Sequence, residues 1–262
     1  MQPSKSLHLV GAGAQWMNRR SWMTISCMHE KIDKPRICFI PAASGDADSY
    51  TLQFYRHFAS TNCRASDLEL VRRKVNDLED FACSQDVIYV GGGNAANMLA
   101  ICRAHGFDKA LNAALSAGTI LTGLSAGSIC WFQQGVTDFF GAELQPMNCL
   151  GFLLCSNCPH YDGEVARRPT YHQLFSNGML DGYAADHGVG LHFINGILQH
   201  VVSSRPSASA YKVALRGETV METPLKTGFL GVGTRESRDD DEAAVVAVFE
   251  TAKSPPPADR KP

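Results

Sequence analysis

"TILTGLSAGSICWF", residues 119–132, joins an apolar β-rich run to a glycine-flanked serine and a second apolar run. Residues 119–122 are short, β-branched and apolar, and they stop at Gly123. That is the composition of a strand covered on both faces. Similar runs recur upstream in "PRICFIPAAS" (35–44), "DLELV" (67–71) and "DVIYVGGG" (86–93). Helical patterns lie between them. After Asp46 and Asp48, both candidate caps, Tyr50, Phe54 and Phe58 recur every four residues and share one helix face. Asn94 is placed to cap a helix carrying Met98, Leu99 and Cys102. Phe107, Ala110, Leu111, Ala114 and Leu115 form a further stripe that ends at Gly118. Strand and helix in alternation predict an α/β fold with a mostly parallel sheet and right-handed crossovers.

The second half changes character. "GVGLHFING" and "ILQHVVSS" meet at Asn195-Gly196, a hairpin signal, and "AYKVAL" and "TVMETPL" continue as strands. The expectation is one sheet with a C-terminal antiparallel extension, in a single domain over residues 1–234. Residues 235–262 are acidic, then Pro- and Lys-rich, and are expected to be a disordered tail in which the "DDDE" run is a solvated charge run.

The composition is that of an ordinary globular protein: 262 residues, 45% hydrophobic, 19% charged, formal net charge −2. This balance gives no support to nucleic-acid or anionic-membrane binding, and no apolar run approaches the roughly 20 residues that span a bilayer. Lys5 followed by "LHLVGAGA" has the outline of a signal peptide, but it is short, glycine-rich and broken by His8, so it is assigned to a first strand and turn. The 9 cysteines are an odd, scattered set within apolar runs. They suggest buried reduced thiols and a cytoplasmic location.

In a parallel sheet, ligands bind beyond the carboxyl ends of the strands. "GGGN" (91–94) and "GLSAGS" (123–128) follow adjacent apolar runs and would share that rim. The second loop reads Gly-x-Ser-x-Gly. A sharp strand-to-helix turn pushes the serine hydroxyl outward, and flanking glycines remove side chains that would strike neighbouring backbone. Ser125 is therefore a candidate nucleophile. The Ala126 N–H and a glycine N–H from Gly92 or Gly93 are candidate oxyanion donors. A serine nucleophile needs a base and a group to orient it. His160 follows 35 residues further on, after the run "LGFLLC", with Asp138 and Glu143 between. An α/β-hydrolase also orders serine, acid and histidine in this way, but places its acid and histidine after late strands; the gap here is too short for that topology.

"YVGGGNAANML", "GLSAGSICWF", "CPHYDGE" and "METPLKTGFLG" together resemble the S51 family of serine peptidases, the family of aspartyl dipeptidase (peptidase E), with cyanophycinase more distant. The resemblance covers roughly residues 35–230; residues 14–34 and the segment after Gly231 do not share it. It implies a flavodoxin-like three-layer sandwich of the class I glutamine amidotransferase-like type and a serine mechanism without metal or cofactor. By the same resemblance Ser125 is the nucleophile, His160 the base, and Gly92 and Ala126 the oxyanion donors. Asp138 matches the acid of the dipeptidases, and Glu143 is the rival, matching the glutamate of cyanophycinase-like members. Arg167 and Arg168 are both candidates to bind an acidic substrate side chain. The implied substrate is a small peptide with an acidic N-terminal residue.

Other chemistries fit less well. "GGGN" lacks the spacing of a nucleotide loop. "CSNC" (155–158) has no second Cys-x-x-Cys pair to complete a zinc site and ends a strand instead of opening a helix as redox motifs do. A non-catalytic small-ligand-binding protein on the same scaffold, or an amidase or esterase using the same triad, are the alternatives.

Overall fold

The computed structural model describes the backbone of Ser6–Val10 and residues 33–139 and 143–230. The glycine-rich turn after the first strand, most of residues 14–34 and the whole of 235–262 lie outside the described residues.

Strands Ser6–Val10 (β1), Arg36–Ile40 (β2), Arg64–Asp67 (β3), Val87–Val90 (β4) and Ile120–Gly123 (β5) pair in parallel in the order β1-β5-β4-β2-β3. Every residue of β4 and β5 is buried. The pleat sends alternate side chains to opposite faces. Ile37, Phe39, Val87, Tyr89 and Ile120 meet Phe54 and Phe58 of helix Asp48–Phe58 (α1). Cys38, Ile40, Ile88, Val90 and Leu121 belong to the opposite core with Met98 and Leu99 of Ala95–His105 (α3) and Phe107 and Leu111 of Phe107–Ala117 (α4). A short helix, Leu78–Cys83 (α2), precedes β4. Two covered faces explain why these strands read as continuous apolar runs rather than alternating ones.

Two local expectations are corrected. The strand placed at 67–71 lies upstream at Arg64–Asp67, while Leu68 and Leu70 are buried outside any strand. Neither Asp46 nor Asp48 caps α1: Ala47 occupies the cap position, Asp48 is the first helical residue, and the Asp46 carboxylate accepts the Val71 N–H at 2.5 Å.

The larger correction concerns the second half. Helix Ala126–Ile129 (α5) leads into a second sheet built from Phe132–Thr137 (β6), Gln145–Asn148 (β7), Leu153–Cys158 (β8), Gly182–Ala185 (β9), Ala210–Arg216 (β12) and Thr219–Pro224 (β13). Its order is β13-β12-β9-β8-β6-β7. Helix Arg167–Ser176 (α6) joins β8 to β9 and buries Tyr171, Leu174 and Phe175 beside Val136, Cys158 and Val213. Among the described residues, only Val189–Ile194 (β10), Ile197–Ser203 (β11) and Gly228–Phe229 (β14) extend the first sheet, bringing it to eight strands. β10 pairs antiparallel with both β1 and β11, and the β10–β11 hairpin turns through Asn195 and Gly196, both at positive φ. "AYKVAL" and "TVMETPL" are strands as read, but they belong to the second sheet, so the C-terminal half is divided between two sheets.

Candidate active site

β4 and β5 are parallel neighbours, so the loops that follow them leave the first sheet together. Ser125 begins the turn into α5 at φ 54°, ψ −112°, a conformation costly for a residue with a Cβ. The flanking glycines allow it. A Cβ on Gly123 would lie 2.1 Å from the Gly127 carbonyl oxygen, and one on Gly127 would lie 2.2 Å from that of Val90. The elbow is thus packed backbone against backbone, and no side chain can occupy either flank. Gly92, in the loop after β4, lies beside it: a Cβ there would be 3.3 Å from the Ser125 Cβ.

The Ser125 hydroxyl is 2.9 Å from His160 Nε2. His160 follows β8, which belongs to the other sheet, and it too holds a positive φ of 59°. The pair therefore straddles the seam between the two sheets. Ala126 is the first residue of α5, where an N–H has no intrahelical partner. The Gly92 N–H donates to the Tyr50 phenol oxygen at 3.1 Å. Both predicted oxyanion donors are in the serine's neighbourhood, and the second of them is held by a phenol from α1.

The structure does not bring the carboxylates suggested by the order of the chain to His160. Asp138 and Glu143 are both exposed, and neither hydrogen-bonds His160. β8 lies between β6 and β9. Asp138 leaves from β6, whereas the Nδ1 of His160 contacts the loop after β9, where His187 Nε2 is 3.0 Å away. His187 Nδ1 is in turn 3.2 Å from Asp162 Oδ1, which also accepts the His187 backbone N–H at 2.7 Å. Arg205, after β11, donates to Asp162 Oδ2 at 2.7 Å and to the His187 carbonyl at 3.1 Å. Sequence reasoning gave no role to His187, Asp162 or Arg205, although Asp162 lies in the run "CPHYDGE", two residues after His160.

Burial, then the Arg167 charge and the His187 ring, push the His160 imidazole from 6.5 down to about 3; the Asp162 charge works the other way. Burial pushes the Asp162 carboxyl up, but the His187 amide, Arg205 and the His187 ring outweigh it, and the group sits below its ordinary value. At neutral pH the site thus holds an uncharged imidazole against the serine and a carboxylate two groups away.

The two arginines differ. Arg167 is 4% exposed; its Nε donates to Glu164 at 2.7 Å, and its charge is felt at His160. Arg168 is turned to the outside, stacked over Tyr161 and Tyr211 and paired with Glu222 at 3.0 Å. Cys155 and Cys158 lie three apart on β8, which turns them to opposite faces, and burial pushes both thiols up to about 12. Among the described residues no group of three His, Cys, Asp or Glu side chains is arranged to hold a metal, and no helix is long and apolar enough to cross a membrane.

The family model of peptidase family S51 matches residues 7–201. The chain is 49% identical over 202 residues to the uncharacterized peptidase YgaJ of Bacillus subtilis (strain 168), covering 77% of this chain and 87% of that one. The crystal structure of a peptidase from an acI-B1 actinobacterium is similar with a TM-score of 0.68 at 15% identity, covering 87% of this chain and 96% of that one. A putative peptidase E protein from Listeria monocytogenes EGD-e is similar with a TM-score of 0.54 at 17% identity, covering 85% and 100%. At these identities the solved structures speak for the fold alone.

Proposed function

The chain belongs to peptidase family S51, and from that premise we propose that it hydrolyses small peptides through a Ser125–His160 pair and an acyl-enzyme. The observation that carries this reading is a strained, glycine-flanked serine whose hydroxyl is 2.9 Å from an uncharged imidazole. Ser125 Oγ attacks the scissile carbonyl while His160 Nε2 takes its proton. The Ala126 and Gly92 N–H groups receive the oxyanion, the latter exchanging its Tyr50 partner for substrate. His160 then protonates the leaving amine, and a water activated by the same imidazole releases the acyl group. The expected flavodoxin-like, class I glutamine amidotransferase-like ancestry of the parallel sheet belongs to the same proposal.

Arg167 is the residue we assign to an acidic substrate side chain. It is buried and electrostatically coupled to His160, and its partner Glu164 retains 42% side-chain exposure, so water can take over the carboxylate when substrate arrives. Arg168 is already held by two rings and a carboxylate.

The test is hydrolysis of Asp-, Glu-, Leu- and Gly-X dipeptides by the wild type, Ser125→Ala and Arg167→Gln. Ser125→Ala is expected to lose at least about 1,000-fold in kcat. Arg167→Gln is expected to raise KM for Asp-X well above its effect on Leu-X; equal effects would remove Arg167 from specificity. Retained turnover in Ser125→Ala, or no turnover of any peptide by folded wild type, would sink the peptidase reading in favour of a binding protein or another acyl substrate.

A further inference from the structure

A carboxylate can only accept hydrogen bonds, and that fixes the direction of every proton in the chain behind Ser125. Asp162 accepts, so His187 carries its proton on Nδ1. With that one proton on its ring, His187 presents Nε2 as a lone pair, which accepts a hydrogen bond from His160 Nδ1–H. His160 Nε2 is in turn left as the lone pair facing the Ser125 hydroxyl, the tautomer a general base requires. Three hydrogen bonds in series thus specify one protonation pattern, and the anchor at their far end is ionic.

We propose that His187, backed by Asp162, takes the place of the triad acid and is the positioning residue that sets the tautomer and orientation of His160. The inference rests on Ser125 and His160 being nucleophile and base. When His160 Nε2 takes the serine proton, the bond from Nδ1–H to His187 strengthens, and the Asp162 charge reaches the imidazolium through the polarisable ring between them. No proton needs to leave His160 Nδ1, and when the amine departs the Nε2 proton goes with it. The pair is built rather than incidental. The ring planes of His160 and His187 are tilted 55° with centroids 4.7 Å apart. A Cβ on Gly163 would lie 1.8 Å from His187 Cε1, so the loop that carries Asp162 leaves the space the ring fills. Arg205 fixes the carboxylate from behind and holds the His187 carbonyl as well.

The experiment compares kcat and KM on the best-cleaved peptide of the panel for wild type, Ser125→Ala, His187→Ala, His187→Glu, Asp162→Asn, His187→Glu/Asp162→Asn and Asp138→Asn. His187→Ala is expected to lose about 100- to 10,000-fold in kcat with KM nearly constant, the range set by removal of a base-orienting group. His187→Glu places a carboxylate directly against His160 Nδ1 and is expected to recover most of that loss. Asp162→Asn is expected to cost kcat in the wild-type background and nothing, or even to help, in the His187→Glu background, where it relieves two facing carboxylates. A merely structural Asp162 would cost the same in both. Wild-type kcat in His187→Ala, or collapse in Asp138→Asn while His187→Ala holds, overturns the inference. Turnover surviving in Ser125→Ala would instead overturn the peptidase mechanism beneath it. Independently of turnover, nitrogen-15 spectra of histidine-labelled protein should find His160 and His187 each protonated at Nδ1. An unchanged His160 tautomer in folded His187→Ala protein would also overturn the assignment.

Discussion

Ser125 shows how much a single position depends on its neighbours. Its backbone sits in a region that L-residues avoid, and it stays there because Gly123 and Gly127 let three backbone segments touch. Gly127→Ala would drive a methyl group to 2.2 Å from the Val90 carbonyl oxygen, and main chain cannot step aside as a flexible side chain can. The expected outcome is a loss of about 1–3 kcal/mol by denaturant unfolding, with a fall in kcat larger than the fraction unfolded explains, because the elbow must open to admit the methyl. The serine elbow, the histidine it meets and the glycine loop beside them were legible in the chain because each is marked by residue type and by its place at a strand end. The ring behind His160 was not. Aspartate and glutamate lay between serine and histidine and drew the reading, yet ring orientation at His160 selects the β9 side over the β6 side.

Elements formed where local signals agreed. Asn94 was read as a helix cap, and its side chain accepts the Asn97 N–H at 2.9 Å at the start of α3. Asn94→Ala is expected to lower stability by about 1 kcal/mol, read as a reduced urea midpoint with an unchanged slope. The same residue donates its own N–H to the Ala43 carbonyl at 2.7 Å, a backbone bond the substitution keeps, so the loss should stay near the capping value. The stripes Tyr50–Phe54–Phe58 and Phe107–Leu111–Leu115 were likewise legible because a 3.6-residue period is a property of the helix alone. The strand at 67–71 was misplaced. Leu68 and Leu70 are buried in the core beyond the end of β3, where Leu68 still donates its N–H to the Phe39 carbonyl of β2 at 2.9 Å.

At the scale of the molecule, the site is a seam. Ser125 comes from one sheet, His160 from the other, and His187 from the connection by which the chain passes between β9 and β10. This placement couples stability to protonation. The His160 imidazole sits at about 3 in the folded protein against 6.5 when free, so from pH 6.5 downward the unfolded chain binds a proton that the folded one refuses. Its contribution is fully present above 6.5 and is lost as pH falls toward 3. Asp162 and Asp181, both lowered, add to the loss at the acid end, whereas Asp46 and Asp186, raised by burial, oppose it. Thermal midpoints should therefore fall from pH 7 to pH 5 in the wild type and fall less in His160→Gln; parallel falls would show that another group carries the acid sensitivity.

The sequence by itself determined the parallel α/β core, the serine elbow, the histidine paired with it and the hairpin at Asn195-Gly196. Each of these rests on local periodicity, on glycine geometry or on residue type at a strand end. Only the tertiary structure decided that "AYKVAL" and "TVMETPL" pair in a second sheet, that Arg167 turns inward and Arg168 outward, and that His187 stands behind His160. Strand alternation specifies which side chains face a core but not which sheet receives them, and two adjacent arginines look alike until burial separates them. A hydrogen-bond partner across 27 residues of chain is chosen by how loops from different sheets converge, and no local pattern encodes that.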